Sequence, residues 1–189
     1  MATLKEYIKS DLLKVRECAN TRCFLSALFF NTSFKRILVY RLCQRQKNKV
    51  WKTVWGVNRM LSRRYSVYIF PSAQIGTGLL LPHCFSIMIS TSKIGNNVTI
   101  LQQVTIGSER GGKHPGFPTI GDNVFIACGA KVLGGIKVGN NVVIGANAVV
   151  IRDVPDNAVV GGVPAKILNY EGERHVKHWC KDLRDYHKS

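Results

Sequence analysis

The sequence lacks any apolar stretch long enough to cross a lipid bilayer, which takes about 20 consecutive apolar residues. It also lacks a recognisable secretory signal, because Lys5 and Lys9 are not followed by an apolar segment or a cleavage-like site. We therefore predict a cytoplasmic protein. With 46% hydrophobic residues among 189, the chain is expected to fold around one substantial core, with room for a small appendage.

The cysteines show no metal-site spacing. The six cysteines include no CxxC pair and no zinc-finger spacing. In a reducing compartment they are expected to be free thiols, and no catalytic partner is evident for any of them. We predict no bound metal.

Acidic residues are few, with 11 Asp and Glu against 27 Lys and Arg. The basic excess lies mainly in residues 1–65, where 15 Lys and Arg face 3 Asp and Glu. Apolar residues at helical spacing predict that this region is α-helical, either as a cap on the rest of the fold or as a surface that also contacts an anionic membrane at its inner face. Nucleic-acid binding is the weakest interpretation of the charge, because no known binding module is present.

An aliphatic residue recurs at a step of six through the middle of the chain. A helix repeats at 3.6 residues and a strand at 2, so neither explains this step. One short strand plus one turn does explain it: three such units close a triangular coil, and stacked coils bury a continuous core. The positions are Ile69, Ile75, Leu81, Ile87, Ile94, Ile100, Ile106, Ile120, Ile126, Val132, Val138, Ile144 and Val150. We predict a mainly β fold, a parallel β-helix over residues 66–168, with a short helix in residues 169–189.

The step of six is broken twice. From Ile87 to Ile94 it is one residue longer, and from Ile106 to Ile120 it is eight residues longer. A solenoid takes up insertions as protruding loops, often on its binding face. The inserted residues 108–118 contain glycines and prolines typical of a loop, together with Lys113 and His114 as possible reactive residues.

Five segments within residues 66–168 share a glycine-rich repeat signature: 100–107 (ILQQVTIG), 121–126 (GDNVFI), 129–134 (GAKVLG), 144–150 (IGANAVV) and 162–166 (GVPAK). In these segments the chain resembles the hexapeptide acyltransferases, in particular the serine acetyltransferase branch. The resemblance implies that the coil is left-handed. It also implies a homotrimer with sites between neighbouring coils, and acetyl-coenzyme A bound along a groove at the C-terminal coils. The resemblance leaves open whether two trimers pair into a dimer of trimers.

The resemblance also implies a histidine base at the position of His83. A hydroxyl is a poor nucleophile at neutral pH, and a neutral imidazole within hydrogen-bond reach takes its proton during attack on a thioester. His114 is the second catalytic candidate, or else an exposed loop residue. Pro82, Phe85 and Lys113 are the residues expected to contact the acceptor.

Coenzyme A is expected to lie against small residues, which let its pantetheine arm approach the backbone closely. Its phosphates are expected to meet Lys166, Arg152 or Lys131, and Arg152 is equally well explained as a solvated surface charge. The expected donor-binding residues are Thr105, Gly107, Ala127, Cys128, Gly145, Ala146, Arg152, Pro164, Ala165 and Lys166.

Two departures from the serine branch bear on the acceptor. That branch has aspartates where this chain has Pro82 and Tyr68, and without these carboxylates free serine is a less natural acceptor. The pattern His83-x-Phe85-x-Ile87 resembles the polysaccharide branch, whose members acetylate sugar hydroxyls in capsule, exopolysaccharide or lipopolysaccharide synthesis. We therefore predict a saccharide O-acetyltransferase, with a serine O-acetyltransferase of cysteine biosynthesis as the alternative and a noncatalytic β-helix scaffold as a third hypothesis.

Overall fold

The computed structural model describes residues 2–45, 56, 66–111 and 113–186. Most of the predicted helical segment between residues 46 and 65 therefore lies outside the described residues. Helices α1 (Leu4–Arg16), α2 (Thr21–Phe30) and α3 (Thr32–Arg45) precede the strands, and α4 (Gly172–Tyr186) follows them. The strands are β1 (Tyr68–Ile69), β2 (Gln74–Ile75), β3 (Met88–Ile89), β4 (Lys93–Ile94), β5 (Thr99–Ile100), β6 (Thr105–Gly107), β7 (Thr119–Ile120), β8 (Phe125–Ile126), β9 (Lys131–Leu133), β10 (Lys137–Val138), β11 (Val143–Ile144), β12 (Val149–Val150), β13 (Val159–Gly162) and β14 (Ala165–Asn169).

The strands wind around three faces in a fixed order. Face A contains β1, β3, β6, β9 and β12, face B contains β2, β4, β7 and β10, and face C contains β5, β8, β11 and β13, with β14 added antiparallel to β13. Single bridges from Leu80 to Thr99 and from Val138 to Val154 extend faces C and B. The chain therefore makes five turns of a three-sided coil. The predicted mainly β fold with parallel sheets is confirmed, and the left hand of the coil stays a prediction.

Inward-pointing aliphatic side chains stack into columns along the coil axis. Strand pairing places Ile89 between Ile69 and Ile106 on face A. The prediction that Ile87 holds the six-residue step is therefore wrong: Ile87 is buried, but the column residue is Ile89. The extra residues form a turn at 82–86, which carries His83.

A ladder of Asn and Asp side chains stabilises the corner between faces B and C. The backbone N–H of Asn96 donates to Asp122 (2.6 Å), that of Asp122 to Asn140 (2.8 Å), and that of Asn140 to Asp156 (2.7 Å). The residue before each of the first three positions is glycine. A Cβ at Gly121 would lie 2.7 Å from a carbonyl oxygen of the next coil, so successive coils stack this closely only because the side chain is absent.

A buried ion pair ties the N-terminal helices to the first turn of the coil. Nε of Arg41 lies 2.9 Å from Oδ2 of Asp11, and both side chains are about 1% exposed. Arg41 also donates to the carbonyl oxygens of Ile75 (2.6 Å) and Gly76 (2.5 Å), and the N–H of Leu79 donates to Asp11 (2.9 Å). Burial raises the pKa of Asp11, and the hydrogen bonds from Arg41 oppose that rise. The pair therefore links α1 and α3 to the backbone of the first turn.

The connection between α1 and α2 contains a disulfide, which corrects the prediction that all six cysteines are thiols. Because α1 ends at Arg16 and α2 begins at Thr21, the short turn brings the Cα atoms of Cys18 and Cys23 to 6.1 Å, within the usual reach of a disulfide. Thiols are present at Cys43, Cys84 and Cys128.

We expect Asp11→Asn to lower the free energy of unfolding by about 3–5 kcal/mol, because it leaves the buried Arg41 charge without its counterion. Urea unfolding followed by circular dichroism measures this. Glu173→Gln is the matched control, since it removes the exposed ion pair of Glu173 with Lys177 (2.7 Å) on α4, and it should change stability little. Similar stability of Asp11→Asn and wild type would contradict the role given to the buried pair.

Candidate active site

The turn at residues 82–86 places His83 on the outside of the coil, at the edge where the chain passes from face C to face A, here called edge CA. Pro82 and Cys84 are buried, whereas His83 and Phe85 are exposed. The N–H of Phe85 donates to the carbonyl oxygen of His83 (2.8 Å), and Ser86 has a left-handed backbone, with φ 52°. This tight turn presents the imidazole to solvent.

Helix α3 holds the chain immediately before this turn. The hydroxyl of Ser33 donates to the carbonyl oxygen of Leu81 in a buried hydrogen bond. Further back, the hydroxyl of Tyr40 donates to the carbonyl oxygen of Ala73 (2.7 Å). The N-terminal helices therefore fix the backbone two residues upstream of His83.

Turns of successive coils stack directly along edge CA. The N–H of Gln103 donates to the carbonyl oxygen of Phe85 (3.0 Å), and the N–H of Gly129 donates to that of Gln102 (2.9 Å). In the next coil the N–H of Asn147 donates to the carbonyl oxygen of Cys128 (2.9 Å). Edge CA is therefore a continuous ridge that begins at the His83 turn.

Many of the predicted donor-binding residues lie along this ridge. Those on the turns of edge CA are Ala127, Cys128, Gly145 and Ala146. On the following hairpin, Pro164 lies in the turn between β13 and β14, and Ala165 and Lys166 begin β14. Ala146 is exposed, and the hairpin approaches the ridge so closely that a Cβ at Gly145 would lie 3.1 Å from the carbonyl oxygen of Val160. The ridge therefore offers a ligand a surface of small side chains next to backbone.

Other predicted donor-binding residues lie elsewhere. Thr105 and Gly107 belong to β6 on face A. Lys131, also on face A, donates from Nζ to the carbonyl oxygen of Gln103 (2.7 Å), so its ammonium lies beside edge CA. Arg152 is exposed at the corner between faces A and B, here called edge AB, so the structure separates it from the small-residue ridge.

The inserted loop at 108–118 leaves the coil at edge AB. Glu109 and Gly116 pair across its base through two backbone hydrogen bonds (3.2 and 3.1 Å). The carbonyl oxygen of His114 accepts from the N–H of Gly135 in the next coil (2.8 Å). Lys113 and His114 are exposed. Within one chain, His83 and His114 therefore lie at opposite edges of face A rather than in one cluster.

The surface beside His83 is apolar. Tyr68 and Met88 are register partners on face A, and both are exposed, as is Phe85. Residues 66–108 contain no Asp or Glu. Sequence reasoning missed Met88 because it assigned the step of six to Ile87. The alternation of exposed and buried residues in β3 would have identified Met88 as an exposed residue.

The cysteine next to His83 lacks the properties of a nucleophile. Burial raises the pKa of Cys84 to about 11, with a small opposing effect from Arg36, so the side chain stays a thiol at neutral pH. Among the residues that the structure describes, no three His, Cys, Asp or Glu side chains cluster as a metal site requires.

Known proteins share both the repeat and the coil. A family model described as bacterial transferase hexapeptide (six repeats) matches residues 117–152. The serine acetyltransferase of Staphylococcus aureus is 40% identical over 145 residues, which cover 75% of this chain and 65% of that protein. The solved serine acetyltransferase of Neisseria gonorrhoeae in complex with serine superposes with a TM-score of 0.74 at 32% identity, over 88% of this chain and 69% of that one. The chain belongs to the hexapeptide-repeat transferase family.

This hexapeptide-repeat transferase is also similar to a solved serine acetyltransferase in complex with CoA, with a TM-score of 0.74, 32% identity and coverage of 87% of this chain and 69% of that one. The chain spans about two thirds of the length of the S. aureus relative. The similarities support the serine acetyltransferase-like branch. They give no support to the predicted resemblance to polysaccharide O-acetyltransferases.

We expect Cys84 to resist alkylation by iodoacetamide at about pH 8, because its thiol is buried and protonated, while the half-buried Cys128 reacts. Mass spectrometry of digested protein measures the two labelling rates. Protein unfolded in urea is the control, since both thiols should react there. Equal rates for Cys84 and Cys128 in the folded protein would contradict the buried placement of Cys84.

Proposed function

We propose that the protein is an O-acetyltransferase that uses acetyl-CoA as acyl donor and L-serine as acceptor. The observation that carries this proposal is the exposed imidazole of His83 at the head of the small-residue ridge on edge CA. Similarity to serine acetyltransferases over 75% of the chain supports it, as do the relatives solved with serine and with CoA.

His83 acts as the general base in this proposal. Its neutral imidazole takes the proton of the acceptor hydroxyl while the hydroxyl oxygen attacks the thioester carbonyl carbon. The carbon–sulfur bond then breaks, the acetyl ester remains on the acceptor, and the imidazolium returns the proton to the departing thiolate. A backbone N–H is the usual donor to the oxyanion formed on the way.

Edge CA is the proposed binding surface for the pantetheine arm. Ala146 is exposed and its side chain is small, so a thin chain can lie against the ridge there. Ala127 is buried in an apolar cluster with Val143 and Val176, so it shapes the ridge from beneath. Lys131 and Lys166 flank this path and are the proposed partners of the phosphates. Arg152 lies at edge AB, so it can meet these phosphates only from a neighbouring chain and is equally well explained as a solvated surface charge.

The site is proposed to lie between neighbouring chains of a homotrimer. Because one chain holds His83 and His114 at opposite edges of face A, a neighbour would bring its inserted loop, with Lys113 and His114, to the first chain's His83. Three further points also stay predictions: the pairing of two trimers, the cytoplasmic location, and the domain boundaries at 65/66 and 168/169.

A saccharide hydroxyl is the second candidate acceptor, and the surface beside His83 favours it. Free serine carries an ammonium and a carboxylate, which need charged or hydrogen-bonding partners when they are desolvated. The surface instead presents Tyr68, Phe85 and Met88. Aromatic side chains with an apolar body and a polar tip suit a neutral sugar ring. Because the similarities favour the serine branch, this candidate ranks second.

We expect wild-type protein to release thiol from acetyl-CoA with L-serine as the only acceptor. His83→Ala should lower kcat by about 10²–10⁴-fold, the usual contribution of a general base, while the Kd of acetyl-CoA stays within about twofold. His178→Ala, an exposed histidine on α4, is the matched control and should keep wild-type activity.

Other outcomes of this assay separate the hypotheses. One such outcome is that the protein binds acetyl-CoA and turns over a sugar nucleotide or lipid-linked glycan but not serine. That result would identify a saccharide, rather than serine, as the acceptor. Failure to bind acetyl-CoA would support the noncatalytic scaffold.

We expect Ala146→Leu to raise the Kd of acetyl-CoA by at least about tenfold, because the larger side chain fills the proposed path of the pantetheine arm. Ala146 is exposed, so the fold should tolerate the change. Calorimetric titration measures the affinity, and Ala19→Leu, at an exposed position between α1 and α2, is the control. An unchanged Kd for Ala146→Leu would show that acetyl-CoA does not bind along edge CA.

A further inference from the structure

Helix α2 presents large apolar side chains to solvent. Phe29 is 66% exposed and Phe30 is 83% exposed, the highest value among the large hydrophobic residues of the described chain. Residues three and four apart share a helix face, so Arg22, Leu25 and Phe29 form one stripe on α2. A contiguous apolar surface with a cation in it is typical of a contact site rather than of a solvated helix.

A groove between α1 and α2 continues this surface. Its volume is about 550 Å³, and Lys5 and Lys9 line it on the α1 side. The apolar residues that line it are Leu4, Ile8, Leu12, Ala19 and Phe24. Thr21 lines the groove on the α2 side, and Thr21, Leu25 and Phe29 are successively four residues apart. The groove and the exposed stripe are therefore neighbouring parts of one apolar surface.

The charges around this surface are mostly positive. Helix α2 contains no acidic residue. The lysines and arginines of the two helices are Lys5, Lys9, Lys14, Arg16 and Arg22. Of the nearby carboxylates, only Asp11 is buried, against Arg41. Glu6, exposed in the capping box at Thr3, and Glu17 at the end of α1 remain, so five cations face two carboxylates. The surface is therefore matched to a partner that is both apolar and anionic.

We infer that the α1–α2 surface docks on a lipid bilayer that contains anionic phospholipid. Aromatic and aliphatic side chains inserted at the headgroup level, with lysine and arginine beside them, are the chemistry of helices that lie on membranes. A second copy of this chain is a poorer occupant, because its equally cationic surface would repel the first. No described helix is long and apolar enough to cross a membrane, so the docking is peripheral. This inference does not rest on the proposed acetyltransferase activity.

Co-sedimentation of the full chain with vesicles tests the docking. One vesicle preparation contains phosphatidylcholine alone and the other contains phosphatidylglycerol as well. We expect the chain to prefer the anionic vesicles and the double substitution Phe29→Ser/Phe30→Ser to weaken that binding by at least about tenfold. Leu168→Ser is the matched control, since Leu168 on β14 is 65% exposed and lies outside the surface; it should bind as wild type does.

Arg22→Gln provides a second, milder variant in case the double substitution alters folding, which circular dichroism would reveal. We expect it to weaken binding to anionic vesicles by about fivefold, the usual effect of one cation near a charged bilayer. Equal binding of wild type to neutral and anionic vesicles, or unchanged binding of both variants, would overturn the inference. If the variants form a smaller oligomer than wild type in sedimentation velocity and still bind vesicles as wild type does, a second copy of the chain occupies the surface instead.

Discussion

The close stacking of successive coils is the constraint on which the rest of the structure depends. Parallel strands pair from one turn to the next, so each corner must fit against the corner above it. Where faces B and C meet, this requires glycines such as Gly121, followed by side chains such as that of Asp122, which accepts a backbone N–H of the preceding coil. At edge CA it requires left-handed residues such as Ser86 and Gln103. The same packing that buries the core therefore leaves a ridge of small side chains along one edge, and the proposed donor site uses that ridge.

The sequence predicts this architecture well where only the repeat matters. A step of six identifies the strands and columns, because each inward side chain must meet its equivalent in the next turn. The assignment fails at Ile87, since both Ile87 and Ile89 are buried and the step alone does not say which one pairs with Ile69. The disulfide was also missed, because a separation of five residues becomes bonding distance only once the end of α1 and the start of α2 are fixed. The inserted loop, in contrast, was predicted because eight extra residues cannot fit inside a stacked coil.

The N-terminal helices link the first turn of the coil to the candidate site. Two arginines close in sequence, Arg36 and Arg41, are buried, so part of the basic character of this region serves the interior. Arg41 and Asp11 hold the backbone of residues 75–79, and Ser33 holds Leu81, two residues before His83. Lys5, Lys9 and Arg22 are instead exposed on α1 and α2, and α2 also carries the exposed Phe29 and Phe30. Charge of one sign thus has two separate roles within one helical region, which composition alone does not resolve.

The choice between serine and a saccharide depends on where a carboxylate can come from. A bound serine ammonium needs a negative partner, and residues 66–108 supply none. The next carboxylate along the chain is Glu109, at the base of the inserted loop, where its Oε2 lies 3.4 Å from the backbone nitrogen of His114. That loop is at edge AB, on the far side of face A from His83, so a single chain does not bring the two together. In the proposed trimer, the loop of a neighbouring chain, with its Glu109, would supply the negative partner for serine, whereas a neutral sugar needs no carboxylate to bind the surface of Tyr68, Phe85 and Met88. The identity of the acceptor therefore depends on whether the chain assembles as a trimer.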